Sequence, residues 1–291
     1  MKSNKTIRIF GRATAIVTGA ASGIGRGLAE ELAKRGCEVI IADRQIELAR
    51  EVASKICASG GKSRALRADV TDFVAVEQVV QKTVERTGRL DYMFNNAGIG
   101  IGGNVNHYGI DDWDQMLDVN LRGVINGVHA AHRLMMTQGF GHIVNTASLA
   151  GLMPSPGNVA YATTKYAVVG LSKSLRAESA HFGIRVSVLC PGFVRTAILD
   201  GGGKYGKMLI DISPEQHRQM LDMIERFKPI SPHIFAKKAL NSVAKNKAIV
   251  VVPAWWKPFW LLNRLFPSMG INLVGKSFQK MQKRFGLAEQ N

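Results

Sequence analysis

Short apolar runs alternate along the chain with longer stretches whose apolar residues recur every third or fourth position. "TAIVTG" (14–19) is a β-branched run of strand length, and "GRGLAEELAKRG" (25–36) has helical spacing up to Gly36. "EVIIAD" (38–43) reads as a second strand, and "IELAREVASKICASGG" as the helix after it. Further strands are "SRALRADV" (63–70), "LDYMFNNAG" (90–98), "GHIVNTAS" (141–148) and "IRVSVLCPG" (184–192). Helical patterns fill the gaps at about 72–87, 112–137 and 160–182. The strands are nearly all apolar rather than alternating, as in a parallel sheet covered by helices on both faces. This βαβ rhythm predicts a doubly wound α/β fold.

After Gly192 the rhythm changes. Residues 193–213 are rich in Gly and Lys. Ser213 then has the look of an N-cap, with Pro214 at the first helical position and Gln216 completing a capping box. A Met-rich helix follows, "EQHRQMLDMIERF", and Ser231-Pro232 opens another that leads into the strand "AIVVVP" (248–253). An insertion over about 193–247, beyond the strand ends, is where this architecture keeps a substrate lid, here a helical one. Residues 1–253 therefore read as one domain and 254–291 as an extension.

Composition narrows the class without changing the fold. At 291 residues and 46% hydrophobic, the chain can bury a full core. The three cysteines, Cys37, Cys57 and Cys190, are far apart and lack metal-ligand spacing, so they read as buried apolar residues in a reducing, cytoplasmic setting. The opening "MKSNKTIRIFGRATAIVTGA" lacks the apolar stretch of a signal peptide. The apolar run "AIVVVPAWWKPFWLLNRLF" is broken by Pro253, Lys257, Pro258 and Arg264, which argues against a spanning helix.

The net charge of +16 is concentrated: from Lys228 onward there are eleven Lys and Arg against one acid, Glu289. Within this tail Trp255, Trp256 and Trp260 cluster, and apolar residues at 271, 274, 278, 281 and 285 form one helical stripe beside Lys276, Lys280, Lys283 and Arg284. Such a basic amphipathic tail fits a peripheral contact with a bilayer surface, or docking on the domain or a second subunit. No nucleic-acid reader motif accompanies the charge.

Candidate chemistry sits at the strand ends. "TGAASGIG" puts Gly19, Gly23 and Gly25 at the turn from first strand to first helix, where backbone can approach a pyrophosphate at a helix N-terminus. Asp43 ends the second strand, and a carboxylate there accepts hydrogen bonds from ribose hydroxyls and repels a 2′-phosphate. That favours NAD, while Arg44, the next residue, keeps NADP as the alternative. In "YATTK", Tyr161 and Lys165 share a helix face at i and i+4.

Taken together, these segments resemble the short-chain dehydrogenase/reductase family over roughly residues 12–252. "TGAASGIG", with Ser22 and Ile24 between its glycines, resembles the family's cofactor turn. "ADV", with Asp69 and Val70, resembles its adenine-contacting segment. "NNAG" supplies Asn96, Ala97 and Gly98, and "VNLRG" contains Asn120 at the place of the family's active-site asparagine. "NTAS" supplies Ser148, and "PGFVRT" supplies Pro191, Gly192, Val194 and Thr196 at the segment that touches the nicotinamide carboxamide.

The resemblance implies a Rossmann-type domain, a homodimer or homotetramer, and hydride transfer. Tyr161 would exchange the proton, Ser148 hold the substrate oxygen, Lys165 grip the nicotinamide ribose, and Asn120 position Lys165 through a water. No metal is implied. The Met and aliphatic residues of the lid point to a hydrophobic secondary alcohol or ketone, sterol- or lipid-like. An NADP-dependent reductase of acyl thioesters or other carbonyls, and a non-catalytic nucleotide-binding scaffold, stand as alternatives.

Overall fold

The computed structural model describes residues 6–199 and 205–284. From the N-terminus, β1 (Thr14–Thr18) leads to α1 (Gly23–Lys34), β2 (Glu38–Asp43) to α2 (Ile46–Ala58), and β3 (Lys62–Arg67) to α3 (Phe73–Thr87). There follow β4 (Tyr92–Asn95), a short β5 (Gly100–Gly102), α4 (Ile110–Leu117) and α5 (Gly123–Gln138). β6 (Gly141–Thr146), α6 (Val159–Ser179) and β7 (Ile184–Pro191) complete the middle of the chain. The last third holds β8 (Gly206–Met208), α7 (Pro214–Arg226), α8 (Pro232–Ala244), β9 (Ile249–Val252), α9 (Lys257–Leu265) and α10 (Pro267–Arg284).

Seven strands pair in parallel in the order β3-β2-β1-β4-β6-β7-β9. The chain winds outward from β1 through β2 to β3, returns beside β1 as β4, and then winds the other way. The direction of winding reverses between β1 and β4, so the loops at the carboxyl ends of these two strands diverge and leave a crevice. The apolar strands are explained by two cores. Val17, Ile41 and Phe94 point toward α1, α2 and α8, while Ile16, Ile40 and Met93 point toward α3, α5 and α6. Every second residue thus serves a different core, and hydrophobic burial on both faces removes the alternation seen in one-sided sheets.

The structure revises several details. The helix expected at 112–137 is two helices joined by a π-helical segment, Asp118–Arg122. The strand expected at 90–98 ends at Asn95, and the chain continues into β5. β5 pairs in parallel with β8, so the insertion after β7 is pinned by a strand as well as carrying helices. Ser213 does cap α7, accepting from the Gln216 N–H at 3.2 Å while the Gln216 side chain accepts from the Ser213 N–H at 2.7 Å. Cys57, expected to be buried, is exposed, because it follows inward-facing Ile56 onto the solvent side of α2.

In the tail, Val274, Phe278 and Met281 of the expected stripe are half-buried against the domain, while Ile271, the first of it, is exposed. A Cβ built on Gly157 would meet the Phe278 ring at 3.2 Å, and Gln282 Nε2 donates to Asn104 Oδ1 at 3.3 Å. Trp256 and Trp260 also turn inward onto the core, which leaves only Trp255 of the three exposed. Residue 285 of the stripe, Glu289 and the glycines at 201–203 lie outside the described residues.

Candidate active site

The carboxyl ends of β1, β2, β4, β6 and β7 bring the sequence-predicted residues to one edge of the sheet. Gly19 and Gly23 adopt positive φ (62° and 53°) in the turn from β1 to α1. A Cβ on Gly25 would lie 2.2 Å from the Gly19 carbonyl oxygen and 2.6 Å from Asn96 Nδ2, so only glycine lets the helix start this close to the neighbouring loops. Ser22 is the N-cap of α1, and its hydroxyl makes no cap bond, which leaves the first-turn N–H groups open to an anion. Ile24 packs its side chain on the core and so offers this turn its main chain. Across the hollow, the Thr196 methyl would meet a Cβ on Gly23 at 3.3 Å. Pro191, at the end of β7, and Val194 are buried beside it, with Gly192 between them in the chain.

Asp43 is buried, and its carboxylate is held by backbone. Oδ2 accepts from the Ala21 N–H at 3.0 Å and Oδ1 from the Gln45 N–H at 2.9 Å. These bonds fix the carboxylate against the glycine turn, where each oxygen retains a lone pair for another donor. Arg44 points to solvent. Asp69 is exposed and accepts from the Thr71 N–H and hydroxyl, while Val70 is buried, with its carbonyl held by Asn126 at 2.8 Å.

The "NNAG" loop is anchored by a residue the sequence reading did not single out. Thr18 Oγ1 accepts from the N–H groups of Asn96 and Ala97 at 3.0 and 3.1 Å. Asn96 Nδ2 donates back to the Thr18 carbonyl, and Thr146 Oγ1 donates to Asn96 Oδ1 at 3.3 Å. The Thr146 carbonyl accepts in turn from Lys165 Nζ at 3.1 Å. Thr18 opens the quoted segment "TGAASGIG" and Thr146 is the second residue of "NTAS", so their places were visible while their bonding was not.

Ser148, Tyr161 and Lys165 converge where β6 ends and α6 begins. Ser148 caps a short 3-10 turn, accepting from the Ala150 N–H at 3.1 Å, and hydrogen-bonds the Tyr161 phenol. Burial pushes the Tyr161 phenol above its ordinary value, and the Ser148 hydrogen bond acts against that. Lys165 is 3% exposed, with Nζ 5.4 Å from the centre of the Tyr161 ring. Loss of hydration pulls its ammonium from 10.5 down to about 8.

Asn120 sits in the π-helical segment and is fully buried. Its Oδ1 accepts from the Ile99 N–H at 2.9 Å, and Nδ2 donates to the Ile99 carbonyl at 3.0 Å and to Thr164 at 3.4 Å. Its side chain therefore locks the loop after β4 onto α6. A Cβ on Gly98 would lie 3.1 Å from Asn120 Oδ1 and 3.5 Å from Lys165 Nζ, so glycine is what lets these two groups flank the loop.

The surroundings are apolar. Tyr161 packs on a buried cluster of Ile99, Ile101, Met116 and Ala160, on which Tyr108, Trp113 and Leu209 also pack, the last contributed by the insertion after β7. Beside Thr196, a cavity of about 350 Å³ is bounded by Leu199, by Leu221 and Ile224 of α7, and on one side by the Arg195–Glu225 ion pair. This edge thus combines an anion-receptive turn, a fixed carboxylate and a Ser-Tyr-Lys cluster in which Lys165 is buried and Ser148 and Tyr161 are half-buried. Such an arrangement can hold a nucleotide and move a proton beside it.

Comparison with known proteins agrees with the geometry. Oxidoreductase UcpA of Escherichia coli K12 is 39% identical over 188 residues, covering 64% of this chain and 71% of that protein. A short chain dehydrogenase/reductase from Burkholderia phymatum, solved in complex with NAD, superposes with a TM-score of 0.80 at 27% identity, over 90% of this chain and 96% of its own. A putative NAD(P)-dependent gluconate 5-dehydrogenase from Beutenbergia cavernae with bound NADP gives a TM-score of 0.75 at 28% identity, over 86% of this chain and 100% of its own. Residues 13–203 match the short chain dehydrogenase family as a whole. The chain belongs to the short-chain dehydrogenase family.

Proposed function

We propose that this member of the family exchanges a hydride between NAD(H) and a hydrophobic secondary alcohol or ketone. Membership makes it an NAD(P)(H)-dependent oxidoreductase acting on CH–OH and C=O groups. The observation that carries the finer reading is the Ser148–Tyr161–Lys165 cluster, beside a glycine turn and within an apolar wall.

Nicotinamide, when bound, supplies the hydride donor or acceptor. The protein's part is proton management and orientation. Ser148 Oγ hydrogen-bonds the substrate oxygen and the phenol together, fixing the carbinol or carbonyl against Tyr161. Tyr161 Oη takes the proton of an alcohol or returns it to a carbonyl. Lys165, still charged at neutral pH because its value is about 8, favours the phenolate form from the adjacent turn. The open N–H groups after Ser22, and Thr196 across the turn, are the residues that would hold the dinucleotide. Asp43, Asp69 and Val70 would flank its adenosine, with Asn96, Ala97 and Gly98 beneath.

Asp43 supports NAD over NADP, because its backbone-held carboxylate would repel a 2′-phosphate while Arg44 extends into solvent. The apolar neighbours of Tyr161 support a hydrophobic substrate, with α7 and β8 acting as its lid. Self-association is supported by exposed apolar side chains on α5 and α6, among them Ile125, Met136 and Tyr166.

The test is turnover of a panel of sterols, terpenoid alcohols and fatty ketones with each cofactor, followed by nicotinamide absorbance. The reading requires activity on at least one, lost by more than about a thousandfold in Tyr161→Phe with NADH affinity retained. Tight cofactor binding without turnover across the panel would favour a scaffold role. A strong NADP(H) preference would favour the reductase alternative.

A further inference from the structure

Helix α9 is apolar on two faces, and among the described residues only one of them packs on the domain, Phe259 of the other touching Trp256 at its edge. Trp256, Trp260 and Asn263, at i, i+4 and i+7, turn inward. Trp256 packs against Phe193 and Phe227, Trp260 against the sheet core, and Asn263 Nδ2 donates to the Leu152 carbonyl at 3.4 Å. On the opposite face, Phe259, Leu261, Leu262, Leu265 and Phe266 are 43% to 71% exposed. The elbow into α10 continues this surface with Met269, Ile271 and Leu273, all more than 40% exposed. Isolated exposed apolar residues are ordinary on a soluble protein, but eight large ones between residues 259 and 273 are not.

The charges around this surface decide what covers it. Beyond Leu273, the same outward face of α10 continues as Lys276, Lys280 and Lys283 on successive turns, with Arg284 beside them. Lys257 and Arg264 lie on α9. None of these six cations is in an ion pair among the described residues, and the sequence holds no acid between Glu225 and Glu289. A two-fold contact with a second copy would set this segment against itself, cation facing cation, with no acid in it to compensate. An anionic lipid surface supplies the missing counter-charge and the apolar medium at once.

We propose that the α9–α10 elbow inserts its apolar face into the headgroup–acyl boundary of an anionic bilayer, with the α10 lysines at the phosphates. The chain is then attached to the surface without crossing it. No helix among the described residues is long and apolar enough to span a membrane. The inner contacts of α9 and α10 attach the elbow to the catalytic body with its apolar face already outward, so insertion requires no unfolding. They also place it next to Leu152 and Phe227, close to the loop after Ser148 and to the end of α7. The attachment stands independently of the substrate reading, since neither the elbow residues nor the lysines touch the Ser148–Tyr161–Lys165 cluster.

The experiment mixes the full chain with sedimentable vesicles of phosphatidylcholine and phosphatidylserine in equal parts, and with phosphatidylcholine alone. The protein should pellet with the mixed vesicles and be released as salt rises. Leu265→Ser combined with Phe266→Ser should weaken vesicle affinity at least about tenfold, because both side chains leave the acyl boundary. Replacing Lys276, Lys280 and Lys283 by Gln should weaken it roughly fivefold per charge and flatten the salt dependence. These lysines are exposed, so this variant carries the test even if the apolar pair proves unstable. Absence of pelleting with mixed vesicles, or undiminished binding by both variants, overturns the proposal. So does a fall in oligomer mass for the Leu265→Ser, Phe266→Ser protein on ultracentrifugation, which would assign the face to a second copy.

Discussion

Replacing Lys165 with Met should leave the protein more stable at neutral pH even though it removes a group at the centre of the site. The ammonium is 3% exposed, and its hydrogen bond to the Thr146 carbonyl, at 3.1 Å, does not restore its hydration. A fall from 10.5 to about 8 corresponds, at 1.36 kcal/mol per unit, to about 3 kcal/mol opposing folding while the side chain is charged. The sign follows from proton counts. Between about 8 and 10.5 the unfolded chain keeps the proton that the folded chain has released, so raising pH through that window stabilises the folded wild type. Below it both states are protonated and the full penalty applies; above it both are neutral and the penalty is gone.

Met has similar length and no charge, and it forfeits the Thr146 bond, worth about 1–2 kcal/mol. The variant should therefore gain about 1–2 kcal/mol at pH 7. Urea melts of both proteins between pH 7 and 10.5 check this. The stability difference should move by about 3 kcal/mol toward wild type across that range, and other titrating groups cancel in the comparison. Parallel stability curves for the two proteins would refute the argument that burial depresses Lys165.

Gly25→Ala should lower NADH affinity more than about tenfold and cost about 1–3 kcal/mol in a chemical melt, because its Cβ would lie 2.2 Å from the Gly19 carbonyl oxygen. Asp43→Ser should narrow or reverse the NAD-over-NADP preference, read as the ratio of the two dissociation constants, because the repelling carboxylate is gone. Asp91→Ala should destabilise by about 3–5 kcal/mol. Its fully buried carboxylate pairs with Arg89 and accepts from the N–H groups of Arg8 and Thr14, and thermal denaturation reads the loss.

The order of strands and helices was legible because each apolar run is a local signal, and so were the motifs at the strand ends. Edge strand β3, "KSRALR", was visible through its β-branched and apolar neighbours although it is half-exposed. What the sequence hid was pairing across distance. Asn95 donates to Asn145, which donates to Ser172, a buried polar chain between β4, β6 and α6 that no local spacing announces. The π-helical turn at Asn120 was equally hidden, since it changes which carbonyl an N–H reaches and leaves the side-chain pattern helical. In the tail, the spacing at 271, 274, 278 and 281 falls on helix α10, but it could not say which of these residues the domain covers: Phe278 comes close to Gly157, while Ile271 is exposed. The outward face of α9 was masked because a segment apolar all round has no stripe to read.

The central claim is that Tyr161, oriented by Ser148 and biased by Lys165, moves a proton in step with hydride transfer to or from nicotinamide. Its most direct test uses secondary alcohols deuterated at the carbinol carbon, incubated with NAD and the full chain, with the nicotinamide recovered for mass spectrometry. The account predicts deuterium on the reduced nicotinamide ring with the wild type and none above background with Tyr161→Phe, although both bind NADH equally. Deuterium transfer undiminished in Tyr161→Phe, or tight NADH binding with no transfer from any alcohol, would contradict it.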